Sequence, residues 1–273
     1  MAGQLWDRVL LGLIQGLTEF LPVSSSGHLV LARKLLHSSE IPFLSDVFTH
    51  LATVLAVITV YRKEIWDIVV CVKNDCSTIW RNQNSDRKQS LSPEGRLILY
   101  IVIGTIPAAV AGLLFEERIT DFFTQPHYVG IFLLCTGAVL ISTHWKPYPM
   151  KQLSAAKALI IGCAQMAGLL PGISRSGATI SAGLWIAIKP EEAVKFSFFL
   201  AIPVVIGANL LEFSLYSASI SLNDLGYIFV SGITAYISGI IAIKVLIKIV
   251  TIGKFFLFGI YCIVIGTLTV LFM

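Results

Sequence analysis

Apolar residues come in long blocks along this chain, not at the short spacings of a soluble fold. No charged residue falls within 97–115, 225–243 or 255–273. Each block is close to the roughly 20 residues that a helix needs to cross a bilayer. The pattern predicts six membrane-crossing helices, at 45–62, 95–115, 127–145, 192–213, 223–249 and 254–273. A transmembrane β-barrel would alternate polar and apolar positions, which these blocks do not do. One long hydrophilic stretch, 63–94, is rich in Asn, Gln and Ser and reads as a loop with no more than a short surface helix near Trp66.

Two further apolar stretches, 5–37 and 154–189, are broken midway by "LPVSSSG" and "LLPGISRSG". The apolar pieces on either side run to roughly 12–16 residues, too short for a full crossing and suited to half-helices. Each stretch therefore predicts a re-entrant hairpin: half-helix, polar tip, half-helix. A shift of 150 residues lays Gly12 on Gly162, Gln15 on Gln165, Ser24 on Ser174, Ser26 on Ser176 and Gly27 on Gly177, while Pro22 and Pro171 miss register by one. The expected architecture is an all-α integral membrane protein with six transmembrane helices and two re-entrant hairpins, arranged as an inverted-topology repeat. It is one membrane domain, 1–273, with a first repeat over about 1–126 that includes the loop 63–94, and a second over about 150–273.

Composition supports the membrane reading. Only 13% of residues are charged and 56% are hydrophobic, against about 25% charged in soluble proteins. Residues 9–18 are apolar, but no basic stretch precedes them and no small-residue cleavage site follows, so they read as mature structure and not as a signal peptide. The five cysteines are odd in number and show no metal-binding spacing, which makes them packing or loop residues. The net charge of +4 draws the chain weakly toward anionic lipid headgroups. The distribution of charge says more. With six spans and two hairpins, fifteen Lys and Arg residues (in 62–96, 146–157, 189–195 and 244–254) fall on one side, and Arg8, Arg33, Lys34 and Arg118 on the other. Cytoplasmic loops carry the excess of basic residues. The expectation is therefore cytoplasmic basic loops, both termini outside, and hairpins that enter from opposite faces.

The polar tips carry the candidate chemistry. Gln15 and Glu19 are four apart and share a helix face. Pro22 ends that helix, and Ser24, Ser25 and Ser26 stand where the next one begins, a position that favours serine as N-cap. Gly27 lets a ligand approach the backbone, and His28 lies one turn beyond Ser25, within expected reach of its hydroxyl. The second tip offers Ser174, Arg175, Ser176, Gly177 and Thr179 after the turn Pro171-Gly172. Hydroxyls, free N–H groups at a helix start and a guanidinium together make an anion site, and phosphate suits it best. Each feature alone has a plainer explanation. Serines after a proline cap helices, a membrane Gln joins helices, a lone His is usually a satisfied polar residue, and Glu19 is a sufficient partner for Arg175. The matched register of the two tips favours function.

The segments "QGLTEFLPVSSSGH" and "PGISRSGAT" resemble the two signature segments of the undecaprenyl-diphosphatase (bacitracin-resistance) family, and the resemblance in length and motif spacing covers the whole chain. It implies a phosphatase of the bacterial cytoplasmic membrane that removes the terminal phosphate of undecaprenyl diphosphate, a polyprenyl diphosphate lipid. It also implies an outward-facing active site and a divalent cation, Mg²⁺ or Ca²⁺. The partners it implies are the lipid substrate and membrane lipids, with no nucleic acid; a homodimer is compatible with it. The family's acidic motif falls on Gln15 and Glu19, its serine–histidine segment on Ser24, Ser25, Ser26, Gly27 and His28, and its phosphate-clamping segment on Ser174, Arg175, Ser176, Gly177 and Thr179. Many members have glutamate where this chain has Gln15. A neutral amide oxygen is a weaker ligand for a hard cation, so the metal role leans on Glu19.

The expected chemistry is in-line attack on phosphorus, with Ser25 as nucleophile and His28 as its base. Arg175 and a cation on Glu19 would stabilise the phosphoryl charge. Ser24 and Ser26 remain candidates for the nucleophile, as does a water activated by His28 or Glu19. A rival reading is a lipid-phosphate transporter that uses the same anion site, since broken helices in inverted repeats are common in transporters. A base beside the hydroxyls favours the enzyme. An ion channel fits poorly, because no rings of like charge are evident.

Overall fold

A bilayer offers no partner to backbone N–H and C=O groups, so an apolar chain satisfies them within helices. The computed structural model describes residues 2–36, 43–81, 91–145, 151–215 and 222–273. Among these the chain is all helical, save for one isolated bridge between Lys151 and Ile188. In order the helices are α1 (Ala2–Phe20), α2 (Ser25–Leu36), α3 (Phe43–Val60), α4 (Arg62–Arg81), α5 (Pro93–Leu114), α6 (Glu116–Phe123) and α7 (Pro126–Ser142). They continue with α8 (Ala155–Ala167), α9 (Arg175–Trp185), α10 (Pro190–Leu215), α11 (Leu222–Thr251) and α12 (Leu257–Phe272). Residues 82–90 and 146–150, which include some of the counted basic positions, lie outside the described residues.

This is a multi-pass all-α membrane protein. Among the described residues, four helices are long and apolar enough to cross a bilayer: Pro93–Leu114, Pro126–Trp145, Pro190–Phe213 and Leu225–Thr251. The spans expected at 45–62 and 254–273 appear as the shorter apolar helices Ser45–Val60 and Leu257–Phe272. Both expected breaks are present, and α1, at 19 residues, exceeds the half-helix length read from the sequence. The stretch 63–94 is more ordered than expected: α4 runs 20 residues before the described segment ends. Ile65 and Ile68 pack on the core while Trp66 faces outward, so one apolar stripe suffices to hold this otherwise polar helix. The short helix α6 was not foreseen. It is amphipathic, and Phe122 packs edge-on against Tyr128 and Phe132 of α7.

Helix pairing crosses between the two halves of the chain. Helix α1 lies along α11, and α8 lies along α5. Both contacts use the glycines matched by the 150-residue shift. A Cβ on Gly12 would fall 2.4 Å from the Ser231 carbonyl oxygen, and one on Gly162 2.3 Å from that of Gly104. Lipid tails are as apolar as leucine, so membrane helices associate by such close backbone approach and not by hydrophobic burial. A third seam joins α7 to α12 through Gly130, Gly137, Gly259 and Gly266. Between the seams sits an aromatic cluster. Phe20, the last residue of α1, meets Phe198 of α10 edge-on at 5.2 Å, and Tyr61 meets Phe199 at 5.4 Å. This cluster backs the chain turn after Phe20 and so sets where the first polar tip lies.

The seams are testable by stability alone. Gly162→Val forces side-chain atoms into the Gly104 backbone and should cost about 1–3 kcal/mol, the usual range for overpacking. Gly207→Ala adds its methyl to space with no atom within 4 Å, so the unfolding midpoint in detergent should fall for the first variant and hold for the second.

Candidate active site

The two breaks meet. Helix α1 ends at Phe20, the turn 21–24 follows, and Ser24 caps α2 by accepting the N–H of Gly27 at 3.3 Å. In the second tip Ser174 caps α9 by accepting the N–H of Gly177 at 3.0 Å. Each cap also touches the hydroxyl two residues on, Ser24 with Ser26 at 3.3 Å and Ser174 with Ser176 at 3.2 Å. The matched serines thus make matched bonds. The tips are tied together directly: Gly172 donates its N–H to Ser24 Oγ at 3.0 Å, and Ser176 Oγ donates to the Leu21 carbonyl at 3.5 Å. Ser24 is held at φ 69° and Gly172 at φ 104°. A left-handed serine costs of the order of 1–3 kcal/mol and persists only where its surroundings over-determine it. Here five bonds do so, because its carbonyl also takes the backbone N–H of His28 at 3.1 Å and the ring Nδ1 of His28 at 2.9 Å.

At the junction Glu19 is the organising group. Arg175 Nη2 donates to its Oε1 at 2.5 Å, across the two tips. Ser25 Oγ donates to its Oε2 at 2.5 Å, and Gln15 Nε2 donates to the same oxygen at 3.1 Å. The ion pair is well shielded, with side-chain exposures of 14% for Arg175 and 8% for Glu19. His50 of α3 stands within electrostatic reach of the same carboxylate. Two buried polar atoms around the pair have no partner: Gln15 Oε1 and Arg175 Nη1. Unpaired buried polar atoms are costly. Both lie on side chains that already grip Glu19, where an anionic or metal-bound ligand would meet them.

Several expected site residues have other employment. His28 does not reach Ser25. Its Nδ1 faces the Ser24 carbonyl and its Nε2 faces the Tyr261 hydroxyl at 2.8 Å. A helix start turns residue 28 back onto its own cap, and so the hydroxyl of Ser25 falls to Glu19 instead. The hydroxyls of Ser24, Ser174 and Ser176 are buried and spent on caps and the tip–tip bonds. Thr179 is fully buried, bonded to Ser197 Oγ at 2.6 Å and to the Arg175 carbonyl at 2.9 Å, a turn behind the tip. Gly27 and Gly177 are close-packed, their N–H groups taken by the caps. Ser25, Ser26, His28 and Arg175 keep partial exposure and line the accessible part of the junction.

Two contributors escaped sequence reasoning. Thr136 of α7 donates to the Gly172 carbonyl at 2.8 Å and accepts the Ser174 N–H at 3.1 Å, which pins the second tip. Its only sequence signal was a hydroxyl in the middle of an apolar span. Tyr261 sits in the charge-free block 255–273 and carried no signal beyond its phenol.

The donor set fits a hard cation in part. Among the described residues no three His, Cys, Asp or Glu side chains gather as a metal cluster. One carboxylate oxygen and the orphaned amide oxygen of Gln15 are adjacent, and both are oxygen ligands of the kind that Mg²⁺ and Ca²⁺ accept. A cation held there would draw its remaining ligands from phosphate oxygens and water.

Known proteins match nearly the whole chain. A family model described as "Bacitracin resistance protein BacA" matches residues 8–268. A protein of Desulfosudis oleivorans named undecaprenyl-diphosphatase is 42% identical over 268 residues, covering 96% of each chain. Proteins of the same name from Korarchaeum cryptofilum (41% identical, 95% of this chain and 96% of that one) and Salinibacter ruber (39%, 96% and 97%) are similarly close.

The ion pair makes a stability prediction that needs no substrate. Arg175→Met leaves the Glu19 carboxylate buried beside no guanidinium and should cost about 3 kcal/mol. Adding Glu19→Gln removes the stranded charge and should recover more than half of that loss. Unfolding midpoints of the wild type, both single variants and the double variant in one detergent complete the cycle.

Proposed function

The chain belongs to the bacitracin resistance protein BacA family, and on that footing we propose that it hydrolyses undecaprenyl diphosphate to undecaprenyl phosphate and inorganic phosphate at the junction of the two tips. It is a membrane phosphatase that returns a polyprenyl carrier to use in cell-wall synthesis. The observation that carries the catalytic reading is the Ser25 hydroxyl bonded to Oε2 of a buried carboxylate whose Oε1 is bonded to Arg175. A transporter needs anion donors. It has no need of a hydroxyl aligned on a base.

Mechanism follows from competition for Arg175. With no anion present, Glu19 is a poor base, since three donors stabilise its charge. A terminal phosphate brings more negative charge and a geometry that the guanidinium fork fits, so Arg175 turns part of its donor set, Nη1 first, to the phosphoryl oxygens. The carboxylate, relieved of part of its pairing, then accepts the Ser25 proton as Ser25 Oγ attacks phosphorus in line. The bond from phosphorus to the bridging oxygen breaks, and undecaprenyl phosphate leaves with that oxygen. Water next attacks the phosphoserine and passes its proton to a phosphoryl oxygen, the bond from phosphorus to Ser25 Oγ breaks, and Glu19 returns its proton to that oxygen, so inorganic phosphate departs with Ser25 and the Glu19 carboxylate restored. Ser26, partly exposed next to Ser25, offers a further hydroxyl to the developing charge. A divalent cation held by Glu19 and Gln15 would neutralise phosphate oxygens.

Membrane arrangement completes the proposal. The two hairpins are re-entrant, the halves of the chain form an inverted repeat, and the site opens to the outer face of a cytoplasmic membrane with both termini outside. The distribution of basic residues and the reciprocal pairing of α1 with α11 and α8 with α5 support this.

Phosphate release from undecaprenyl diphosphate by purified protein, with and without EDTA, tests the activity. Ser25→Ala should lower turnover by at least about a hundredfold while substrate affinity changes little, and Arg175→Lys by at least about tenfold, because lysine keeps the charge without the fork. Full activity in Ser25→Ala would replace the serine with a directly attacking water; no release by the wild type would favour the transporter. Orientation is read by cysteine labelling in intact cells on a cysteine-free background. Thr124→Cys, exposed just after α6, should label from outside, and Glu64→Cys, exposed on α4, should not; the reverse pattern would invert the topology.

A further inference from the structure

His28 is bonded at both nitrogens, and the inner bond fixes which nitrogen of the neutral ring carries the proton. A carbonyl oxygen only accepts, so Nδ1, 2.9 Å from the Ser24 carbonyl, carries the ring proton. The neutral ring then presents a lone pair at Nε2, and the hydroxyl 2.8 Å away on Tyr261 is its donor. Tyr261 comes from α12, 233 residues along the chain. Its ring stacks on the imidazole at 5.7 Å with planes 12° apart, and it is 43% exposed, so the pair forms the open rim of the junction. On the inner side the Ser24 carbonyl belongs to the residue held at φ 69°, which is also the residue that sets where Ser25 begins α2.

The geometry points to Tyr261 as a positioning residue of the reaction: by donating to Nε2 it holds His28 in the Nδ1-protonated tautomer, and His28 in turn holds the Ser24 carbonyl that aligns Ser25 on Glu19. This rests on the phosphatase reading above. Without the phenol the proton is free to move to Nε2. The Ser24 carbonyl then loses a donor and the left-handed turn loses one of its five bonds. Ser25 Oγ is no longer held as closely on the carboxylate. The substrate's anion contacts, carried by Arg175 and the helix start, are untouched. The expected consequence falls on turnover and not on binding, since small misplacements of a reacting atom are expensive in rate. It also gives His28 a duty other than that of base to Ser25.

Tyr261→Phe removes the hydroxyl and keeps the stacked ring. In this variant kcat should fall on the order of tenfold while KM moves less than twofold. ¹⁵N NMR of histidine-labelled protein, with the His28 signals identified by their loss in His28→Asn, should show Nδ1-protonated His28 in the wild type and a mixture with the Nε2-protonated form in Tyr261→Phe. His28→Asn retains an N–H donor toward the Ser24 carbonyl without the tautomer choice. Adding Tyr261→Phe to it should therefore cost nothing further, whereas a purely structural tyrosine would give additive losses. An unchanged kcat in Tyr261→Phe, an unchanged tautomer, or additive losses would each overturn the inference. The tautomer measurement needs no turnover. If the wild type released no phosphate, the activity would fall while the NMR result still decided the role of Tyr261.

Discussion

An arginine in the low-dielectric part of a membrane protein must be paired, and one carboxylate pairs it here. Arg175 and Glu19 come from different tips, so the pair cannot form unless both helix breaks arrive at one place. The rest of the molecule can be read as the means of bringing them there. The α1–α11 and α5–α8 seams hold α1 and α8 in place, Thr136 fixes the second turn, and Phe20 against Phe198 backs the first. Around the pair the bonding is dense but incomplete. The unpartnered Gln15 Oε1 and Arg175 Nη1 leave capacity for a ligand that a purely structural ion pair would not need.

The same economy separates the serines by role. Ser24, Ser174 and Ser176 spend their hydroxyls on caps and on the bond between tips, which is the usual destination of a short hydroxyl at a helix start. Ser25 follows its cap by one position, which turns it away from the backbone and toward Glu19. A run of three like residues therefore holds one aligned hydroxyl, one cap and one half-exposed neighbour. Of the positions expected to bind phosphate, Ser24, Gly27, Ser174, Ser176 and Gly177 make the caps and tip–tip bonds of the two turns, and Thr179 bonds to Ser197 behind them.

The helices and breaks were legible in sequence because lipid enforces them: charge-free blocks of membrane length, and proline, glycine and serine where the blocks break. The meeting of the tips was legible in outline, since Arg175 needed a counter-charge and Glu19 was the only carboxylate in either tip. Direction was not legible. Spacing placed His28 one turn from Ser25, yet a side chain one turn along a helix start has a second choice, its own cap carbonyl, and that choice wins. Tyr261 and Thr136 were invisible for a related reason. Their contacts span 233 and 36 residues, and nothing local marks a hydroxyl that answers a distant partner. Helix α4 was underestimated because its apolar stripe is narrow and its composition polar.

The ion pair also sets an order of events during synthesis. Glu19 leaves the ribosome 156 residues before Arg175, an interval of the order of ten to thirty seconds at usual elongation rates. Through that interval the first hairpin carries a carboxyl with no cation to meet it, and a carboxyl in lipid is tolerated only with its proton on or with water at its side. Until then the carboxyl of the first tip lacks the guanidinium that pairs it in the finished fold. The pairing that shields Glu19 in the finished fold is therefore completed by a residue made in the second half of the chain.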